Sequence, residues 1–171
     1  MYSKTWAYRS EIDGSQLKEQ LFAQYNDKIY HYCYSILRNL HDAEDATQEI
    51  FMKVVESTEL LNIENKNAWL YKIAYHHCMN KVKRKRLLQF IPFIETTNVE
   101  YVQTDEEDLE LNAILIHLKP SERALIVLRI VEDKSFDEIA TILSISPSTA
   151  RKRYERIKEK IRKTIERSAW Q

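Results

Sequence analysis

Apolar residues recur at three- and four-residue steps through most of the chain. Leu17, Leu21, Phe22 and Tyr25, then Ile29, Tyr32, Cys33, Ile36 and Leu37, mark one face of a first helix. The tract Asn39-Leu40-His41-Asp42 predicts a turn, with Asp42 as N-cap of a second helix reaching about residue 57. That helix would bury Ala46, Ile50, Phe51 and Val54. A polar loop over 59–67 leads into a third helix from 68 to about 88. Pro92 breaks the pattern, and 95–108, with Thr, Asn and acids, has little periodicity and reads as a linker. Spacing resumes at Leu109: Leu111, Leu115 and Leu118 form one stripe, and Ser121 is placed to cap a dense apolar helix over 122–131. Asp133-Lys134 predicts a turn, with Ser135 capping a helix over 136–143. Residues 144–146 predict a further turn, and Ser146 caps a last helix opening on Pro147, where a missing N–H costs nothing. Residues 1–14, ending at Gly14, are expected to be a loose extension.

Composition agrees with an all-α reading. The 171 residues include one Gly and three Pro, against an average of roughly 12 Gly and 8 or 9 Pro. Primed hairpin turns draw mainly on Gly for positive φ, so a many-stranded sandwich or barrel is disfavoured. Walker and dinucleotide phosphate loops need two or more glycines and are excluded. No apolar run approaches the roughly 20 residues of a membrane span, and the first residues carry Lys4, Arg9, Glu11 and Asp13 rather than a signal core. A cytoplasmic location is expected. Two cysteines, Cys33 and Cys78, are too few for a disulfide framework and are expected as buried free thiols.

Net charge is zero, with 26 bases and 26 acids, but the charges are sorted. Residues 42–64 hold seven acids and one base; 72–86 hold six bases and no acid. Residues 95–110 hold seven acids and no base; 151–167 hold nine bases and three acids. Two basic patches on either side of an acidic tether suggest two contacts with one long polyanion. The tether could also cover those patches when no partner is present. The expected architecture is two small helical domains joined by an acidic linker, the second with a helix-turn-helix.

The helix-turn-helix expectation rests on a short helix (136–143), a three-residue turn and a longer basic helix. Ala150, Tyr154, Ile157, Ile161 and Ile165 form one apolar stripe, to be covered by Ile139, Ala140 and Leu143. Ser148 and Thr149 at the helix start suit phosphate contacts. Arg151, Lys152, Arg153 and Arg156 belong to the exposed basic side, and Arg151, Lys152 and Arg156 can reach base edges.

In the first half of the chain, Asp45, Gln48, Glu49 and Met52 line the polar face of the second helix, as a docking stripe for a basic helical partner would. The third helix carries Trp69, Tyr71, Tyr75, His76 and His77, then Lys81, Lys83, Arg84, Lys85 and Arg86. Rings beside bases suit single-stranded nucleic acid, although Trp69, Leu70 and Ile73 also read as core. A metal site from His31, Cys33, His76, His77 and Cys78 is rejected, because adjacent helical residues diverge by about 100° and the spacing is not that of a zinc site. No metal or cofactor is expected.

DAEDATQEIFMKV (42–54), NAWLYKIAYHHCMNKVKRKR (67–86) and SERALIVLRIVEDKSFDEIATILSISPSTARKRYERIKEKI (121–161) together resemble the extracytoplasmic-function (ECF) sigma factors of bacterial RNA polymerase, in the family's order and spacing. The resemblance implies an extension (1–14), a region-2-like domain (15–92), an acidic linker (93–108) and a region-4-like domain (109–171). It implies that Asp45, Gln48, Glu49 and Met52 dock on the clamp helices of the polymerase. It places Asn67, Trp69, Tyr71, Lys72, Tyr75, His76, Lys83 and Arg84 at the −10 element, and Ser148, Thr149, Arg151, Lys152, Arg153 and Arg156 at the −35 element. The implied partners are core RNA polymerase (clamp helices and flap), promoter DNA and an anti-sigma factor or other regulator, and no enzymatic activity is implied. The chain departs from the family at Ser144, where the turn usually has Gly, and at His76 and Asn80, which replace an Asn-and-Asp pair. The competing reading is a two-lobed helix-turn-helix activator that does not replace sigma.

Overall fold

The computed structural model describes the backbone of residues 3–88 and 113–168 and the side chains of 14–88 and 113–166. All regular structure there is helical. The first lobe consists of α1 (Ser3–Leu37), α2 (Leu40–Glu56), a 3-10 turn (Leu60–Asn62) and α3 (Lys66–Leu88). The second consists of a helical turn at 113–115, then α4 (Pro120–Ile130), α5 (Phe136–Leu143) and α6 (Pro147–Ser168). The linker expected over 93–108 lies outside the described residues.

Helix α1 begins at Ser3 and runs through Gly14, so the expected loose extension is corrected for 3–14. A glycine inside a helix costs about 1 kcal/mol relative to Ala, which a helix of 35 residues absorbs. Its buried stripe (Leu21, Ile29, Tyr32, Cys33, Ile36) packs against α2 and α3. Arg38 turns the corner in left-handed backbone, φ 57°. The cap of α2 is then Asn39, whose side-chain oxygen accepts from the Asp42 N–H at 2.9 Å. Asp42, expected in that role, lies one turn further in and faces α3. The expected core of α2 (Ala46, Ile50, Phe51, Val54) is buried, together with Ala43 and Thr47.

Ser121 is likewise not the cap of α4. Lys119 precedes Pro120 at the first helical position, and the Glu122 carboxylate accepts from the Lys119 N–H at 2.8 Å. Ala124, Leu125, Ile126, Val127 and Leu128 are all buried. A helix apolar on every side must be enclosed, and α4 is: it packs on α5 and α6 in its own lobe and on α1 and α3 in the other. Both thiols, Cys33 and Cys78, are free and buried. No helix among the described residues is long and apolar enough to cross a membrane.

Candidate nucleic-acid interface

The helix-turn-helix is built from local signals. The Ser135 hydroxyl accepts from the Glu138 N–H, and the Glu138 carboxylate accepts from the Ser135 N–H at 2.8 Å, closing a capping box. The hydrogen bond from the Ser135 N–H outweighs desolvation and holds the Glu138 carboxyl below its ordinary value. Helix α5 ends at Ser144 in left-handed backbone, φ 55° and ψ 49°. Ser146 then caps α6: its hydroxyl accepts from the Thr149 N–H at 3.2 Å and lies 3.0 Å from Ser148 Oγ and 2.7 Å from Thr149 Oγ1. Three hydroxyls at a helix N-terminus suit a phosphate oxygen. Ala150 and Ile157 are buried and fix the rotation of α6.

That rotation leaves Arg151, Lys152, Arg153 and Arg156 exposed, with no ion pair among the described residues. The cations further along α6, from Lys158 to Lys163, are paired with glutamates. Lys158 pairs with Glu155, Lys160 with Glu122, Arg162 with Glu159 and Glu166, and Lys163 with Glu159, at 2.8–3.4 Å. The Arg151 guanidinium lies 5.3 Å from the Phe136 ring centroid, and Phe136 in turn meets Tyr154 edge-on at 5.6 Å. Phe136 thus supports a candidate base-reading arginine; only the fold brings the two together, and no sequence spacing signals it. Ile165, expected in the buried stripe, is exposed.

Helix α3 is sorted by face. Asn65 caps its start, its side-chain oxygen accepting from the Ala68 N–H at 2.9 Å. Asn67 is half-buried and donates to the Tyr25 hydroxyl at 2.9 Å. Trp69 and Tyr75 are half-buried against the core, while Lys72, His76, Lys83 and Arg84 are exposed. Burial raises the Tyr75 phenol, with Arg153 across the lobe boundary opposing it. Tyr71 is corrected: it is fully buried, edge-on to Tyr32 at 5.2 Å, with the Lys134 ammonium 5.5 Å from its ring centroid. Its position on α3 points into the bundle, so it serves as core in this arrangement and offers no ring to a base. His76, His77 and Cys78 diverge. His76 faces Ser144, His77 lies between Lys53 and Glu49, and Cys78 is buried.

The basic end of α3 also divides. Lys81 lies 3.7 Å from Asp42 and 3.6 Å from Asp45, and Lys85 pairs with Asp42. Lys83 and Arg84 form no ion pair among the described residues. On α2, Asp45, Gln48, Glu49 and Met52 are all exposed along one face, with Met52 at 60%. His77 Nε2 lies 3.6 Å from Glu49, and burial followed by the Lys53 charge lowers the His77 pKa.

Two helical lobes, the second a helix-turn-helix with an open basic helix, make a nucleic-acid-binding arrangement, and comparison with known proteins identifies the class as sigma-70. The Sigma-70 region 2 family model matches residues 21–87, and the Sigma-70, region 4 model matches 108–161. The chain is 31% identical over 159 residues to the ECF RNA polymerase sigma factor SigW of Bacillus subtilis, covering 82% of this chain and 84% of that protein. It is 30% identical over 154 residues to the ECF RNA polymerase sigma factor SigE of Mycolicibacterium smegmatis; that match covers 84% of this chain and 60% of SigE. The sigma factor RpoE of Bartonella quintana, solved with the anti-sigma factor NepR, shares the fold with a TM-score of 0.69 at 22% identity, over 86% of this chain and 96% of that one. CnrH, solved with the cytosolic domain of CnrY, does so with a TM-score of 0.64 at 19% identity, covering 89% of each chain. The chain belongs to the ECF sigma factors of RNA polymerase, the proteins that bring the polymerase to promoters to initiate transcription.

Proposed function

We propose that this chain acts inside the cell by docking on core RNA polymerase and reading a promoter with both lobes. Residues 15–92 act as the region-2-like domain, 93–108 as the linker and 109–171 as the region-4-like domain. Asp45, Gln48, Glu49 and Met52 meet the clamp helices, and the second lobe meets the flap. Ser148, Thr149, Arg151, Lys152, Arg153 and Arg156 take the −35 element. Asn67, Trp69, Lys72, Tyr75, His76, Lys83 and Arg84 take the −10 element. An anti-sigma factor or similar regulator is a further partner, as NepR is for RpoE. The observation that carries this reading is the row of four exposed cations on α6, without ion pairs among the described residues, behind a doubly capped turn.

Energetics assign the division of labour. Stacking is worth roughly 1.4 kcal/mol per step, so opening about ten pairs costs on the order of 14 kcal/mol. A flipped base and a few stacked rings return a few kcal/mol each. The chain therefore supplies recognition and capture, and the polymerase supplies the rest, including the chemistry of RNA synthesis.

The test is transcription from a random-promoter library with core polymerase. Added alone, the chain is expected to direct initiation from a distinct promoter class, and Asp45→Ala with Glu49→Ala to weaken its hold on core. Initiation only when another sigma is present would instead identify an activator.

A further inference from the structure

The lobes meet along a seam that crosses α3. Helix α4 lies against α1 and α3, and α5 lies against α3. Arg123 ties the seam at one end. The residue is buried, and its guanidinium donates to the Leu118 carbonyl at 2.6 Å in its own lobe and to the Ile36 carbonyl at 2.5 Å in the other. At the other end, His76 Nε2 lies 3.2 Å from Ser144 Oγ.

Ser144 is an unusual residue for its place. It closes α5 at φ 55°, in the left-handed region where glycine is the ordinary occupant and a side chain is strained. What serine has and glycine lacks is a hydroxyl, and that hydroxyl contacts the first lobe. Its partner His76 belongs to the face of α3 assigned above to the −10 element. Close by, Tyr75 is half-buried within reach of the Arg153 charge.

We propose that His76 and Ser144 form a latch, seconded by Arg123, which holds the second lobe against the Tyr75–His76 edge of the promoter face of α3 and leaves Lys72, Lys83 and Arg84 exposed. The lobes must then part before a −10 base is captured. The α2 docking stripe and the four cations of α6 are exposed in the latched form, so polymerase docking and −35 contact come first. The latch rests on geometry alone; its consequence for promoter capture rests on the assignment of α3.

Ser144→Gly and Ser144→Ala in the full chain test it. Both delete the hydroxyl, but only glycine relieves the backbone strain. Both variants are expected to bind a short fluorescent single-stranded DNA of random sequence about three- to ten-fold more tightly, because apparent affinity scales with the open fraction. Both keep the parental affinity for random duplex DNA, since α6 is open throughout. Solution X-ray scattering reads the radius of gyration, expected to rise in both. Ser144→Gly should raise the urea midpoint while Ser144→Ala does not, which separates opening from instability. Parental single-strand affinity together with a parental radius in both variants overturns the latch. Equal tightening on single strands and duplex overturns the claim that α6 stays open. A larger radius without tighter single-strand binding upholds the latch and removes α3 from the −10 assignment.

Discussion

Helices α3 and α6 were both expected to meet DNA, yet they are built in opposite ways. The front of α6 is held by local devices, and its four cations face outwards without ion pairs among the described residues. Helix α3 serves two tasks at once. It donates Leu70, Tyr71, Ala74 and Cys78 to the core, commits Lys81 and Lys85 to acids on α2, and retains a narrower outer face. Basic and aromatic residues in a helix are thus an inventory of candidates, and packing decides which of them remain free to bind.

The largest expected effect would break this contrast. Tyr71→Ala should cost about 3–5 kcal/mol of stability in urea unfolding, as loss of a large core ring does. A variant that stays stable but loses −10 use would return Tyr71 to the DNA-contacting set. Arg156→Ala should leave stability within about 0.5 kcal/mol while relaxing −35 base preference by roughly 1–3 kcal/mol, read by competition among −35 variants. Lys83→Met and Lys81→Met sharpen the division within α3. The first should weaken duplex binding with stability unchanged; the second should lower stability by up to about 1 kcal/mol and leave binding nearly intact. The smallest effect is titration of the capping box. The Glu138 carboxyl is lowered in the folded chain, so its contribution is complete above the ordinary glutamate range and is lost as pH falls through the depressed value. Glu138→Gln should flatten the acid limb of second-lobe stability, measured as the urea midpoint against pH.

Much of this was legible because it is local. Ser135, Ser146 and Pro147 act within a few residues of themselves, so the helix-turn-helix and its exposed residues follow from order along the chain. The cap of α2 was less secure, since Asn39 and Asp42 both suit an N-cap and the difference lies in Asp42 meeting Lys81 and Lys85, some forty residues away. Tyr71 is buried for the same reason: α1 and the second lobe enclose it, and neither is visible from its neighbours in sequence. The dense apolar run of α4 signalled a buried helix without showing that a second lobe would cover its far side. Arg123 gives no sequence signal, because an arginine within an apolar run finds its role only when the Ile36 carbonyl arrives.

The glutamate-paired cations at the rear of α6 have a consequence for ionic strength. Cations already matched by glutamates release few condensed counterions when the helix meets duplex DNA. Four cations without ion pairs among the described residues give a slope of log affinity against log salt of about −3.6, where the eight described cations of α6 together would give about −7. A promoter contact of that kind loses less affinity as salt rises than one made by every cation of the helix.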